Sequence, residues 1–284
     1  MKHTFLLPDH WQTQRIKILL LGAGGTGGEV LYALARMNTV LLALGHPAGL
    51  HITLMDGDHV AEPNLGRQRF FAADLTHNKA TVLIHRLNLA FGLDWIARPC
   101  YWAPRSEDVS LHRFDLLVSC VDRASVRVAL ARNGANLLRP ILWMDFGNGS
   151  HTGQCILGHL GQRMPDTEVR LPNVLDLFPE LKTLKDDAQP SCSSAEALRQ
   201  QDLFTNPLLA EAGVSLFWRL LRTGQLDAHG VLVDVQIPSV TPLAIDSDVW
   251  SLFRPVQPRR AKRLKAHRVR TRRVPRSAQT RRRA

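Results

Sequence analysis

Residues 22–28 read Gly22-Ala23-Gly24-Gly25-Thr26-Gly27-Gly28, directly after the apolar run Ile16-Lys17-Ile18-Leu19-Leu20-Leu21. A glycine loop leaving a buried strand is suited to holding phosphate. Gly22 permits the tight turn off the strand. Gly24 and Gly25 let backbone approach a phosphate with no Cβ in the way, and Gly27 lets the next helix lie close to the strand. The free N–H groups at that helix N-terminus, with its dipole, favour an anion. Alone, the pattern points to a nucleotide without separating a redox dinucleotide from ATP.

Polar residues with matching chemistry follow. Asp56 ends the apolar stretch Leu50–Met55, where an acidic residue bonds ribose hydroxyls in dinucleotide-type folds. Asp58, Asn64, Arg67 and Gln68 sit in an irregular polar stretch rich in groups that bind phosphate and metal. Lys79 falls in the first turn of a helix spaced over about 75–90, where the dipole disfavours a cation and a nearby phosphate would remove the conflict. Asp122 ends a further apolar run, residues 115–121. Taken singly, Asp56 and Asp122 read equally well as strand-end caps, Lys79 as a solvated helix residue and Arg67 as a surface ion pair. Arg69 and Arg127 read as structural ion-pair candidates.

The elements that must position these groups alternate. The helix after the loop spans about 28–44, with Val30, Leu31, Leu34, Met37, Leu41 and Leu42 toward a sheet. Strands are expected over 50–55, weakly over 95–102, and over 115–121, with a helix over 124–138 and a strand over 140–145. That order means a parallel, doubly wound sheet with chemistry at its carboxyl edge. A strand over 152–160 belongs to an added antiparallel section, and residues 161–190 read as a crossover loop. A capping box at Ser193–Glu196 starts a short helix just after Cys192. Asn206-Pro207 reads as an N-cap with proline at the first helical position, opening a helix to Gly224; the last clear strand is 230–235.

At 284 residues the chain can bury a full core, and no apolar run nears the length of a membrane helix. The N-terminus lacks a signal-peptide core, because Pro8 and Asp9 interrupt it, which places the protein in the cytoplasm. Cys100, Cys120, Cys155 and Cys192 form neither a zinc knuckle nor a disulfide framework, so no zinc is expected. Cys120 and Cys155 fall in strand patterns as core packing. Cys192, just before a helix N-terminus that would lower its pKa, could accept an acyl group as a thioester or be an inert loop thiol. The net charge of +11 comes from the end: residues 259–284 hold 13 Lys and Arg and no acids, leaving 23 basic and 25 acidic residues elsewhere. Such a segment cannot fold alone; it is suited to non-specific nucleic-acid contact, an acidic partner or plain solvation.

Gly22-x-Gly24-Gly25-x-Gly27, Asp56-Gly57-Asp58, Asn64-Leu65-x-Arg67-Gln68, Lys79 and Val121-Asp122 together resemble the ThiF family, which includes ubiquitin-activating enzymes and the bacterial adenylyltransferases of thiamine and molybdopterin synthesis. The resemblance covers roughly 15–150. The later half, with Pro190-Ser191-Cys192-Ser193 and Gln201-Asp202-Leu203, is similar to the ThiF-type proteins of the PRTRC systems of bacterial plasmids. The order of elements, the resemblance and the composition of the end together give the expected fold class: α/β, Rossmann-like, a doubly wound mostly parallel sheet with an added antiparallel section and a disordered basic C-terminal tail. The resemblance implies a ThiF-type ATP-binding adenylation domain over 1–254, with its core at 15–150 and a crossover loop and C-terminal section at 151–254, then the tail at 255–284.

The implied reaction uses ATP with Mg²⁺. The C-terminal carboxylate of a small ubiquitin-like β-grasp protein attacks the α-phosphorus and releases pyrophosphate. In that reading Asp56 holds the ribose; Asn64, Arg67 and Lys79 meet phosphates; and Asp122 positions Mg²⁺ and the reacting phosphate. The family often takes an arginine from a subunit partner's N-terminal helix, whereas only Arg15 precedes Ile16 here; a homodimer stays among the expectations. The alternative is a non-catalytic ATP-binding scaffold of a plasmid-associated complex whose tail holds DNA. A nicotinamide-dependent oxidoreductase has no use for Arg67 and Lys79 in this context.

Overall fold

The computed structural model describes residues 2–104, 109–161, 169–184, 186 and 202–253. Cys192, the Ser193–Glu196 capping box and the basic tail lie outside the described residues. Residues Met1–Arg254 form one compact unit.

The main sheet has eight strands, in the order β10-β9-β7-β6-β5-β2-β3-β4. Its parallel part is β2 (Ile16–Leu21), β3 (Leu50–Met55), β4 (Ile96–Arg98), β5 (Leu116–Ser119) and β6 (Ile141–Asn148). Strands β7 (Thr152–Leu160), β9 (Ala228–Asp234) and β10 (Ser239–Ala244) continue it antiparallel. A separate pair joins β1 (Phe5–Leu6) to β8 (Gln225–Leu226). The Rossmann-like architecture read from the sequence, with its antiparallel addition, is the one observed. Strands β2, β3 and β5 are buried almost throughout because helices cover both faces of a parallel sheet. β2 lies between β3 and β5, so the winding reverses there, and a crevice at the carboxyl ends follows from that reversal.

Helix α1 (Gly25–Ala43) starts three residues earlier than its apolar spacing indicates, because Gly24 is already its N-cap. Val30, Leu31, Leu34, Met37 and Leu41 are buried, each contributing about 1.5–3 kcal/mol, while Leu42 is exposed. Helix α2 (Lys79–Phe91) opens at Lys79 rather than near residue 75, because the Asn78 side chain accepts from the Thr81 N–H and sets the cap there. Helix α3 (Ala124–Gly134) stops short of residue 138; Gly134 packs so close to Leu160 that a Cβ on it would collide with the leucine side chain. The region 161–190 is not a bare loop: Asn173 caps α4 (Val174–Leu177), and a 3-10 turn follows at Pro179–Lys182. Helix α5 (Thr205–Thr223) packs against α1 and the antiparallel strands, and α6 (Ser247–Ser251) closes the described chain. Asn206 is not the N-cap: α5 begins at Thr205 and the Asn206 side chain is engaged elsewhere.

Candidate active site at the carboxyl edge

The glycine loop leaves β2 at the reversal point. Gly22 has φ +94, and a Cβ on it would stand 2.5 Å from the Cys120 carbonyl oxygen after β5. Only glycine combines that torsion with that approach. A Cβ on Gly27 would collide with the Gly22 carbonyl, so Gly27 lets α1 start hard against the turn. Among the described residues nothing lies within 4 Å of where a Cβ on Gly24 would stand. Gly25 differs from its sequence reading, because the space beside it holds the amide of Asn206.

Asp56 is 9 % exposed and ties the loop to the end of β3. Its Oδ2 accepts from the Ala23 N–H at 2.5 Å and its Oδ1 from the Asp58 N–H at 2.7 Å. Burial pushes its carboxyl above the ordinary value, against the pull of those two bonds. Asp56 therefore shapes the loop whatever else it binds.

Lys79 is the buried cation of the site. Its side chain is 9 % exposed at the first residue of α2, where the helix dipole opposes it. The conflict is met within the chain: Lys79 Nζ donates to Asp58 Oδ2 at 3.1 Å. Asp58 thus has a local partner that its sequence context did not reveal. The second Asp58 oxygen accepts from the Tyr101 hydroxyl at 2.5 Å. Burial alone would raise the Asp58 carboxyl; the Tyr101 bond and the Lys79 charge outweigh it and hold it below the usual value. Asn78 braces the same corner, donating to the carbonyls of Asp56 and Asp58.

Asn64 and Gln68 have local geometry of their own. Asn64 Oδ1 accepts from the Ala61 N–H at 3.0 Å, and the Gln68 N–H donates to the Asn64 carbonyl at 2.9 Å. Among the described residues Gln68 Oε1 is buried without a hydrogen-bond partner, an acceptor left over for a donor. Arg67 is half-buried, and burial pushes its guanidinium down. Asp122 is exposed between β5 and α3 and makes no hydrogen bond or ion pair among the described residues. That suits a carboxylate left for a cation.

Beneath this edge lies a buried polar core. Arg127 Nε donates to both oxygens of Asp145 at 2.9 and 3.0 Å, and the Ser119 hydroxyl donates to Asp145 Oδ1 at 2.5 Å. Trp143 Nε1 donates in turn to Ser119 Oγ. The network locks β5 to β6 and α3, and so fixes the strand end before Asp122. Arg127 is the structural ion-pair residue expected of it, and Arg69 pairs with Glu29 in the same way. Arg15 is engaged too, bidentate on Asp94. Cys155 is buried in β7, and burial pushes the thiols of both Cys155 and Cys120 well up.

Two groups escaped sequence reasoning. Tyr101 follows a short edge strand and carries no motif. Asn206 looked like a cap, whereas its Oδ1 accepts from Thr26 Oγ1 at 2.8 Å and from Asn148 Nδ2 at 2.5 Å. The Asn-Pro signal was visible; its use across the fold was not.

Known proteins resemble this chain in sequence and in fold. The ATP-dependent ubiquitin transferase-like protein Cap2 of Enterobacter hormaechei subsp. hoffmannii (strain UCI 50) is 29% identical over 119 residues, 40% of this chain and 18% of that protein. E. coli MccB, solved with ATP, superposes with a TM-score of 0.53 at 16% identity, covering 84% of this chain and 65% of MccB. PaaA superposes with a TM-score of 0.53 at 13% identity, covering 81% of this chain and 64% of PaaA. The chain thus spans under a fifth of Cap2 and just under two thirds of each solved relative. The ThiF sequence profile matches residues 7–169, which takes in the glycine loop, Asp56, Lys79 and Asp122. By that match, over more than half its length, the chain belongs to the ThiF family.

Proposed function

We propose that this protein is an ATP-dependent adenylyltransferase that activates the C-terminal carboxylate of a small ubiquitin-like β-grasp protein. The observation that carries the reading is Lys79: a nearly buried ammonium at the first residue of α2, held by Asp58 three residues past the end of β3. A carboxylate and a triphosphate repel, so a site that joins them must hold cations in place beforehand. Lys79 and Arg67 supply that charge, Lys79 as a point charge and Arg67 as a planar fork. The α1 N-terminus and the backbone of Gly24 receive phosphate oxygens. Asp56 and Asp58 offer the remaining acceptor capacity of their carboxylates to ribose hydroxyls, and Asn64 and Gln68 line the same stretch. Asp122 would hold Mg²⁺, which would supply positive charge beside the phosphates. Catalysis is positioning and electrostatic stabilisation, with no covalent change to the protein in this step.

The relatives' names support the same direction, since Cap2 is described as an ATP-dependent ubiquitin transferase-like protein and MccB was solved both with ATP and with MccA. Cys192 is the candidate acceptor for a later thioester. In this reading the protein acts in the cytoplasm, as part of a PRTRC-type plasmid system, and its basic tail favours non-specific contact with nucleic acid. Pyrophosphate exchange into ATP, dependent on a β-grasp protein ending in glycine, tests the activity. Nucleotide binding without exchange, with DNA affinity lost on deleting residues 259–284, would favour a scaffold instead.

A further inference from the structure

We propose that Tyr101 is a positioning residue of the nucleotide site: its hydroxyl clamps Asp58 against Lys79, so the lysine is aimed before a triphosphate arrives. The inference rests on the adenylyltransferase reading for what Lys79 does; the clamp itself belongs to the free protein.

Three elements meet at this point. Asp58 follows β3, Lys79 opens α2 and Tyr101 follows β4. The Tyr101 side chain is exposed, yet its ring lies along the backbone of Gly57, where a Cβ would come 2.7 Å from ring carbons. The absence of a side chain at Gly57 is what lets the ring reach Asp58. With the phenol on Oδ1, Oδ2 is left for Lys79. An ammonium has three N–H donors, so Lys79 can keep Asp58 on one and turn two toward phosphate oxygens. Asp58 is half-exposed; without Tyr101 its carboxylate can rotate into solvent and release the lysine from its direction. Among the described residues, the charged and titratable groups acting on Asp58 are Asp56 on its own turn, Lys79 from α2, Tyr101 from the segment after β4, and Arg123 before α3.

The test has a readout that needs no nucleotide. The chain has two tyrosines, Tyr32 and Tyr101, so a Tyr101→Phe difference spectrum isolates one phenol. In the free protein Tyr101 should ionise at about 12, because it is bonded to a carboxylate. Asp58→Asn should bring that midpoint down by about one pH unit or more, and Gly57→Ala, which pushes the ring away, should do the same. In pyrophosphate exchange, Tyr101→Phe should lower kcat about tenfold with KM for ATP held within about threefold. Its acid limb should also move to higher pH, since the Asp58 carboxyl loses a donor that favours its charge. A Tyr101 midpoint unmoved by Asp58→Asn in a folded protein overturns the clamp. An unmoved acid limb and kcat in Tyr101→Phe overturn its positioning role. If the unmodified protein catalyses no exchange, the adenylation reading fails and Tyr101's role toward it fails with it, while the phenol titration still decides the clamp.

Discussion

The Nδ2 of Asn206 stands where a side chain on Gly25 would be, so a Cβ there would collide with it. Asn206 is 2 % exposed and joins α5 to Thr26 in α1 and to Asn148 in β6. The first turn of the phosphate-type helix is thus braced by a residue 180 positions later in the chain. Gly25→Ala should displace that amide and cost about 1–3 kcal/mol of stability by urea unfolding. Gly24 is the control, with nothing among the described residues within 4 Å of its missing Cβ. Gly24→Ala should stay within about 0.5 kcal/mol of the parent yet weaken ATP about tenfold or more by calorimetry. Equal stability losses in the two variants would remove the distinction between a glycine that makes room for protein and one that makes room for ligand.

Two buried histidines make stability depend on pH. His229 Nδ1 donates to the Leu157 carbonyl at 2.7 Å, while its Nε2 accepts from Trp250 Nε1 at 2.8 Å. His159 Nδ1 accepts from the Leu171 N–H at 2.9 Å. Both rings are neutral, and burial first of all lowers each to about 4 from 6.5. The unfolded chain therefore binds more protons than the folded one between those values, and stability falls as pH drops through the window. From pH 7 to 4 the loss should be about 3 kcal/mol for each histidine, read by denaturant unfolding at several pH values. His229→Gln should flatten the slope by about half; an unchanged slope would mean that the ring already takes up a proton while folded.

Adenylation by positioning and charge needs no thiol. Cys192→Ser should leave partner-dependent pyrophosphate exchange within about twofold of the parent, while removing any thioester that resists acid and yields to a reducing agent. A loss of exchange of about a hundredfold would put Cys192 in the first step and contradict the division of labour.

Much of the parallel core was legible because its signals are local. The run before Gly22 and the strand ending at Asp56 announce themselves by period and by punctuation. What stayed hidden depends on distant partners. β10 lies beyond the last strand read from the sequence and contains Pro242; it is an edge strand, where a missing N–H costs no ladder bond on its open side. Leu137 and Leu138 extend the helical spacing beyond Gly134, but contact with Leu160 marks where the helix ends. The chemistry of Lys79 was visible as a misplaced charge; that Asp58 and Tyr101 resolve it was not, since neither spacing carries a signal. Asn206 followed by proline signalled a cap in the sequence, and the fold spent its amide on the glycine loop instead.

The adenylation chemistry stands or falls with Lys79. The direct measurement is partner-dependent exchange of labelled pyrophosphate into ATP by Lys79→Ala, with its fold checked by circular dichroism. Exchange should fall at least about a hundredfold below the parent, with ATP still bound, because the cation that lets two anions meet is gone. Exchange at the parental rate in a folded Lys79→Ala protein would contradict that role.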